Sequence, residues 1–106
     1  MIRGVVQDSG RIMAMVAHRE DMRQRGKWMV PSDDEILELV REHGNLTPMA
    51  IDELDGPSAQ HAGIRCRKLR DAGLLHQISS GLYGITDDGL DFLNEEFDAS
   101  TVSPDE

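Results

Sequence analysis

The sequence predicts a mainly α domain with a small β-hairpin, an α+β fold built as one unit. Three observations carry that prediction. Four apolar stretches with helical spacing are each opened by their own capping signal. Two short runs of strand character, 74–78 and 82–86, are separated only by Ser79-Ser80-Gly81. The 106 residues, 39% apolar and 4% aromatic, supply a thin core that suits a single domain and excludes a two-domain enzyme or a large sandwich.

Residues 1–27 read as an arm outside the domain. Ile12, Met15, Val16 and Met22 form a rough stripe over 11–25, which suits a frayed or disordered helix, or one that docks on a partner subunit. Four methionines fall within 1–22, so Met13, Met15 or Met22 could each be the native start. The domain proper is expected over 28–98. Ser32-Asp33-Asp34-Glu35 reads as a capping box opening a helix over 33–43, with Ile36, Leu37, Leu39 and Val40 toward the core. Gly44-Asn45 ends it.

Thr47-Pro48 starts a short second helix, a hydroxyl cap followed by proline at the first helical position. Its Met49, Ala50, Ile51 and Leu54 are read as inward, and it stops before Gly56-Pro57. Ser58 caps a third helix over 58–72. At 100° per residue, Ala62, Cys66 and Leu69 share one face. Gln60, Ile64, Arg67, Lys68 and Asp71 fall opposite, with Gly63 and Arg70 on one flank and His61 and Arg65 on the other. Ala72-Gly73 closes the helix ahead of the hairpin. Thr86-Asp87-Asp88 caps a last helix with Leu90, Leu93 and Phe97 on one face and Phe92 beside them. Residues 99–106 read as a disordered acidic tail.

Charge divides the chain into four blocks. Residues 1–27 carry +3, 28–57 carry −7, 58–73 carry +3 and 74–106 carry −8, for a formal charge of −9. The third helix is thus the one basic segment of the expected domain, which suits an anion-facing surface; a solvated helix face is the plainer reading. Asp outnumbers Glu 12 to 8, and Lys occurs twice against nine Arg. That balance suits solubility in concentrated cytoplasmic salt, although an ordinary acidic protein would show it too. Cys66 is the only cysteine, so no intramolecular disulfide can form and a cytoplasmic location is expected. No apolar run approaches the ~20 residues of a membrane span.

Helix, short helix, capped basic helix, hairpin, helix is the order of a winged helix-turn-helix, with Asp55-Gly56-Pro57 as the tight turn of the motif. Several segments also carry a resemblance: Trp28-Met29, Asp33-Asp34-Glu35-Ile36-Leu37-Glu38, Arg65-Cys66-Arg67-Lys68-Leu69, Gly73-Leu74-Leu75, and Gly81-Leu82-Tyr83-Gly84-Ile85-Thr86-Asp87-Asp88-Gly89. Together, over about 28–97, they resemble the haloarchaeal phage phi-H repressor family of winged-helix proteins, within the MarR/ArsR-like superfamily. The resemblance implies a transcriptional repressor that binds double-stranded DNA, as a homodimer, in cells with molar potassium.

In such a unit the third helix lies in the major groove and the hairpin, here 75–86, reaches the neighbouring backbone as a wing. Gln60 can bond an adenine edge, Arg67 a guanine edge, and Ile64 can meet a thymine methyl. Amide and hydroxyl groups at Ser58 suit a phosphate. Arg65 and Arg70 suit phosphates or structural acids, and Lys68 either role. His61 and Gly63 complete the exposed helix face, while Gln77, Ser79 and Ser80 supply the wing, whose loop has no Arg or Lys. So weak a wing favours a dimer, with Phe92, Phe97 and the arm as candidate interface residues.

An enzyme is not expected. The chain has no Ser/His/Asp set with an elbow, no phosphate-binding glycine loop and no HExxH. His18, His43, His61 and His76 lie on four separate segments, and His61 and Cys66 diverge on their helix, so no metal, cofactor or small-molecule effector is indicated. Cys66 reads as a packed core residue, Trp28 as packing the domain edge and Tyr83 the strand pair. The rival to DNA binding is a winged helix that contacts protein, supported by the uncharged wing and the two acidic blocks.

Overall fold

The computed structural model describes residues 22–104. Four helices and a two-stranded antiparallel sheet follow one another as α1 (Pro31–His43), α2 (Pro48–Glu53), α3 (Ala59–Asp71), β1 (Leu75–Ser79), β2 (Leu82–Ile85) and α4 (Asp87–Leu93), with a 3-10 turn at Ala99–Thr101. The expected fold class is the one observed. No described helix is long and apolar enough to cross a membrane.

Helix α1 starts two residues earlier than its sequence signal. Pro31 takes the first helical position and Val30 is the cap; Asp33 Oδ2 accepts from the Val30 N–H at 3.1 Å. Proline's fixed φ and missing donor make it the stronger start signal, so Ser32 lies inside the helix instead of capping it. Its hydroxyl faces His61 Nε2 at 2.8 Å. The other caps sit where the sequence puts them. Thr47 Oγ1 accepts from Ala50 N–H at 3.1 Å, Ser58 Oγ from His61 N–H at 3.3 Å, and Thr86 Oγ1 from Gly89 N–H at 3.0 Å. Thr86 also donates to Gly73 O at 2.7 Å, joining the start of α4 to the end of α3.

The core forms where α1 meets α3, α4 and β2, with α2 and β1 packed on α3. Ile36, Leu37 and Val40 enter it from α1, Ile51 from α2, and Ala62, Cys66 and Leu69 from α3. Leu74, Leu75 and Tyr83 line it from the sheet side. The expected seam of α3 is therefore the buried one. Met49 departs from its expected inward place and is 65% exposed, because six residues of helix present only one face to α3.

The sheet pairs Leu75 with Ile85, His76 with Gly84 and Gln77 with Tyr83, then slips at a bulge so that Ser79 meets Leu82. Gly81 turns the hairpin at φ +74°, a conformation that only glycine adopts at little cost. Leu46 forms an isolated antiparallel bridge to β2 by exchanging two 2.9 Å backbone bonds with Tyr83.

Helix α4 is shorter than its apolar spacing suggests. It stops at Leu93, and Glu95 follows with φ +68°. Phe97 consequently lies beyond the helix and only packs against the core, while Phe92 and Leu93 supply the buried face. Gly89 is forced by proximity, since a Cβ there would run into the carbonyl oxygen of Leu74.

The folded unit is also wider than 28–98. Most of the expected 11–25 helix lies outside the described residues, but 22–25 are not helical. Gln24 forms a parallel bridge with Asp98, and Ala99 N–H donates to Gln24 O at 2.8 Å. Arg23 Nε donates to Leu93 O at 3.1 Å, and its Nη1 to Asp34 and Glu38 at 3.1 and 2.7 Å. Burial pulls the Arg23 guanidinium down, yet its bonds to Glu38 and Asp34 hold it above its ordinary value. Nor are 99–104 a free tail. Ala99 is fully buried, and the Trp28 indole N–H donates to Val102 O at 3.0 Å. Ser100 closes a turn on Asp98 whose two bonds hold that carboxyl below its usual range.

Candidate nucleic-acid interface

The surface to test is the outer side of α3 and the hairpin beside it. With Ala62, Cys66 and Leu69 turned inward, the 100° step carries Gln60, Ile64 and Arg67 outward, and all three are exposed. Ile64 is 41% exposed. The side chains of Gln60, Arg67 and Lys68 make no hydrogen bond or ion pair among the described residues. They form a free amide, a free methyl-bearing side chain and two free cations on one helix face.

Arg65 does not belong to that face. It is 8% exposed, and its guanidinium grips Asp33 through two 2.8 Å bonds, from Nε to Oδ1 and from Nη2 to Oδ2. Nη2 also donates to Trp28 O at 3.0 Å. Asp33 has no exposed surface, and its carboxylate is fully engaged by Arg65 and the Val30 amide. The bonds to Asp33 raise the guanidinium above its ordinary value against the opposing pull of burial. Arg65 therefore fixes α3 to the start of α1, and a phosphate cannot reach it. Of the two roles the sequence allowed it, the structural one is observed.

Gly63 is buried against α2, beside the ring of Pro48. A Cβ there would make only ordinary contacts, and the residue offers no side chain to a ligand. His61 is exposed but bonded to Ser32. Arg70 is half-buried and committed at both ends: Nε lies 2.9 Å from Asp71 Oδ1, and Nη1 donates to Gln77 Oε1 at 2.6 Å. Gln77 passes the link on to Ser79 O at 3.3 Å. This chain of bonds ties the end of α3 to the wing. Ser79 and Ser80 are exposed at its tip.

The start of α3 also differs from expectation. Asp52 Oδ2 accepts from the Ala59 N–H at 2.9 Å, and Ser58 Oγ takes the His61 N–H. These acceptors hold amides that would otherwise face a phosphate. Sequence reasoning passed over Asp52 because its partner lies seven residues on, across a turn.

Cys66 lies under this surface with no exposure. Burial pushes its thiol up to about 12, so it stays protonated and unreactive at neutral pH. Phe92 is fully buried in the core of its own chain, so it cannot form a subunit interface. Among the described residues no group of His, Cys, Asp and Glu could hold a metal ion.

Comparison with known proteins bears on this surface. The model of a family described as winged helix-turn-helix phage repressor matches residues 22–105. The crystal structure of the PhiH1 repressor-like protein from Haloarcula marismortui is 38% identical, with a TM-score of 0.72, over 76% of this chain and 94% of that one. No curated protein matches the chain.

Proposed function

The chain belongs to the winged helix-turn-helix phage repressor family, and on that premise we propose that it is a sequence-specific DNA-binding repressor of transcription. Helix α3 enters the major groove, and the β1–β2 hairpin lies along the adjacent backbone. The observation that carries this reading is the outward trio Gln60, Ile64 and Arg67, exposed on the basic helix and free of internal partners.

Each member of the trio suits a base edge. Arg67 can give two parallel bonds to guanine O6 and N7, Gln60 can bracket adenine N6 and N7, and Ile64 can cover a thymine methyl. Lys68 and the amides and hydroxyls of Ser79 and Ser80 then serve the phosphates. Six contact residues make a weak monomer, so the protein acts as a homodimer on a two-fold site, doubling its contact set.

The net charge of −9 does not oppose this in a cell rich in salt. At ~1 M ionic strength the Debye length is about 3 Å, so repulsion between the acidic surface and the duplex is screened. The gain from counter-ion release shrinks as well, which leaves base contacts to carry more of the affinity.

The test is selection from a random duplex pool in 1–3 M KCl, followed by titration of the winning site and its scramble. Enrichment of a two-fold site that outcompetes its scramble is expected. Equal affinity for both would overturn the reading. Failure to retain any duplex would favour the alternative, a winged helix that docks on protein without binding DNA, for which Met49, Ile64 and Ile78 are exposed apolar side chains.

A further inference from the structure

Helix α3 offers an anion four kinds of attraction: the amides of its first turn, Arg65, Arg70, and the pair Arg67 and Lys68. Three of the four are already held by carboxylates of the same chain. Asp33 holds Arg65 in the core. Asp52 holds the Ala59 N–H at 2.9 Å, and Asp71 holds Arg70 at 2.9 Å. The Arg65 pair is buried and fixes the fold. The other two lie at the surface, at the two ends of the helix whose middle bears Ile64 and Arg67.

From this pairing we propose that Asp71 is a built-in counter-ion that withholds the Arg70 guanidinium of α3 from phosphate, and so determines how far binding depends on sequence. The inference rests on the reading of α3 as the DNA-facing helix. A lysine or arginine that neutralises a phosphate normally sheds a condensed cation from the duplex, and this release drives sequence-independent affinity. A donor already satisfied by a tethered carboxylate has less to gain from the exchange. When phosphate takes its place, the displaced carboxylate remains within a few ångströms and opposes it. The paired Arg70 thus contributes little, while Arg67 and Lys68, which have no such partner, contribute fully. Gln77 strengthens the arrangement, since the bond it accepts from Arg70 holds the guanidinium over Asp71 and away from the groove.

The test compares the full-length protein with Asp71→Asn, and with Asp52→Asn as a control whose partner is an uncharged amide. Anisotropy titrations use a random-sequence duplex across 0.1–1 M KCl. Asparagine has the same shape, and its carbonyl can still accept from Ala59 N–H or from Arg70, so helix content by circular dichroism stays at the wild-type value. Asp52→Asn, which frees no cation, should leave the slope of log K against log salt at the wild-type value, whereas Asp71→Asn is expected to steepen it by about 0.9 per domain. Across that decade of salt Asp71→Asn then loses about eightfold more affinity than wild type for each domain bound. Adding Arg70→Gln to Asp71→Asn returns the slope to the wild-type value. If wild type binds and the Asp71→Asn slope matches it, the proposal is overturned and the DNA reading stands. If none of the folded proteins retains the duplex at 0.1 M KCl, the DNA reading fails and takes this proposal with it.

Discussion

Arg65 and Arg67 are the same residue type, two positions apart on one helix, and they face roughly 200° apart around its axis. One is sealed against Asp33 beneath the surface, while the other stands in solvent without a partner. The basic block 58–73 is therefore two devices. Its inner cation fixes the helix to α1, and its outer cations are available to a ligand. Net charge alone counts both the same way, and only the angular position of each residue separates architecture from recognition.

The comparison is tested most severely at Arg65. Replacing it with alanine leaves the buried Asp33 carboxylate without its cation, and loss of one member of such a pair costs about 3–5 kcal/mol. Urea unfolding should show a midpoint lowered to match. Where Arg65→Ala remains folded, it should still bind duplex; a folded variant that has lost DNA would make Arg65 a contact and erase the distinction.

Arg67→Ala should do the reverse. Unfolding should stay within about 0.5 kcal/mol of wild type, while binding to the selected site weakens by about 1–3 kcal/mol at a single base position. Loss at every position equally would reassign Arg67 to phosphate.

Cys66 lies between the two arginines and reports on the seal. Its thiol is pushed up to about 12 in the folded chain, against an ordinary 9.0. Between those values the unfolded chain has released the proton and the native one keeps it. Stability therefore falls as pH rises through that window, by at most about 1.4 kcal/mol per unit. Cys66→Ala should remove this part of the alkaline slope in pH-dependent urea unfolding. The smallest effect belongs to His61, at the margin between the two faces. His61→Ala removes one exposed bond to Ser32 and should change stability by only about 0.5 kcal/mol in the same assay.

Legibility in the sequence follows the range of the interactions. The caps Thr47, Ser58 and Thr86 and the seam Ala62, Cys66 and Leu69 are set within one or two turns of chain, and they could be read directly. The role of Arg65 could not, because its partner lies 32 residues away. The same holds for Leu46 against Tyr83 and for Trp28 against Val102, where distant backbone supplies the acceptor or the bridge. Asp52 escaped because its bond to Ala59 crosses a turn. Phe97 misled because Leu90, Leu93 and Phe97 keep a helical rhythm although the helix has ended, and nothing in Asn94-Glu95-Glu96 announces the positive φ. For the site, periodicity could say which α3 residues face outward but not which of them the fold had already engaged.

The clasp between Gln24 and Asp98, backed by Trp28 on Val102, has a practical corollary. The strands of chain entering and leaving the domain run side by side in the same direction, so a tether of roughly a dozen residues could join them. A circular permutant opened at Ser80-Gly81 would then keep every helix of the core in place and carry its new ends on the wing. Such a molecule would allow the hairpin to be lengthened, recharged or removed as an independent module.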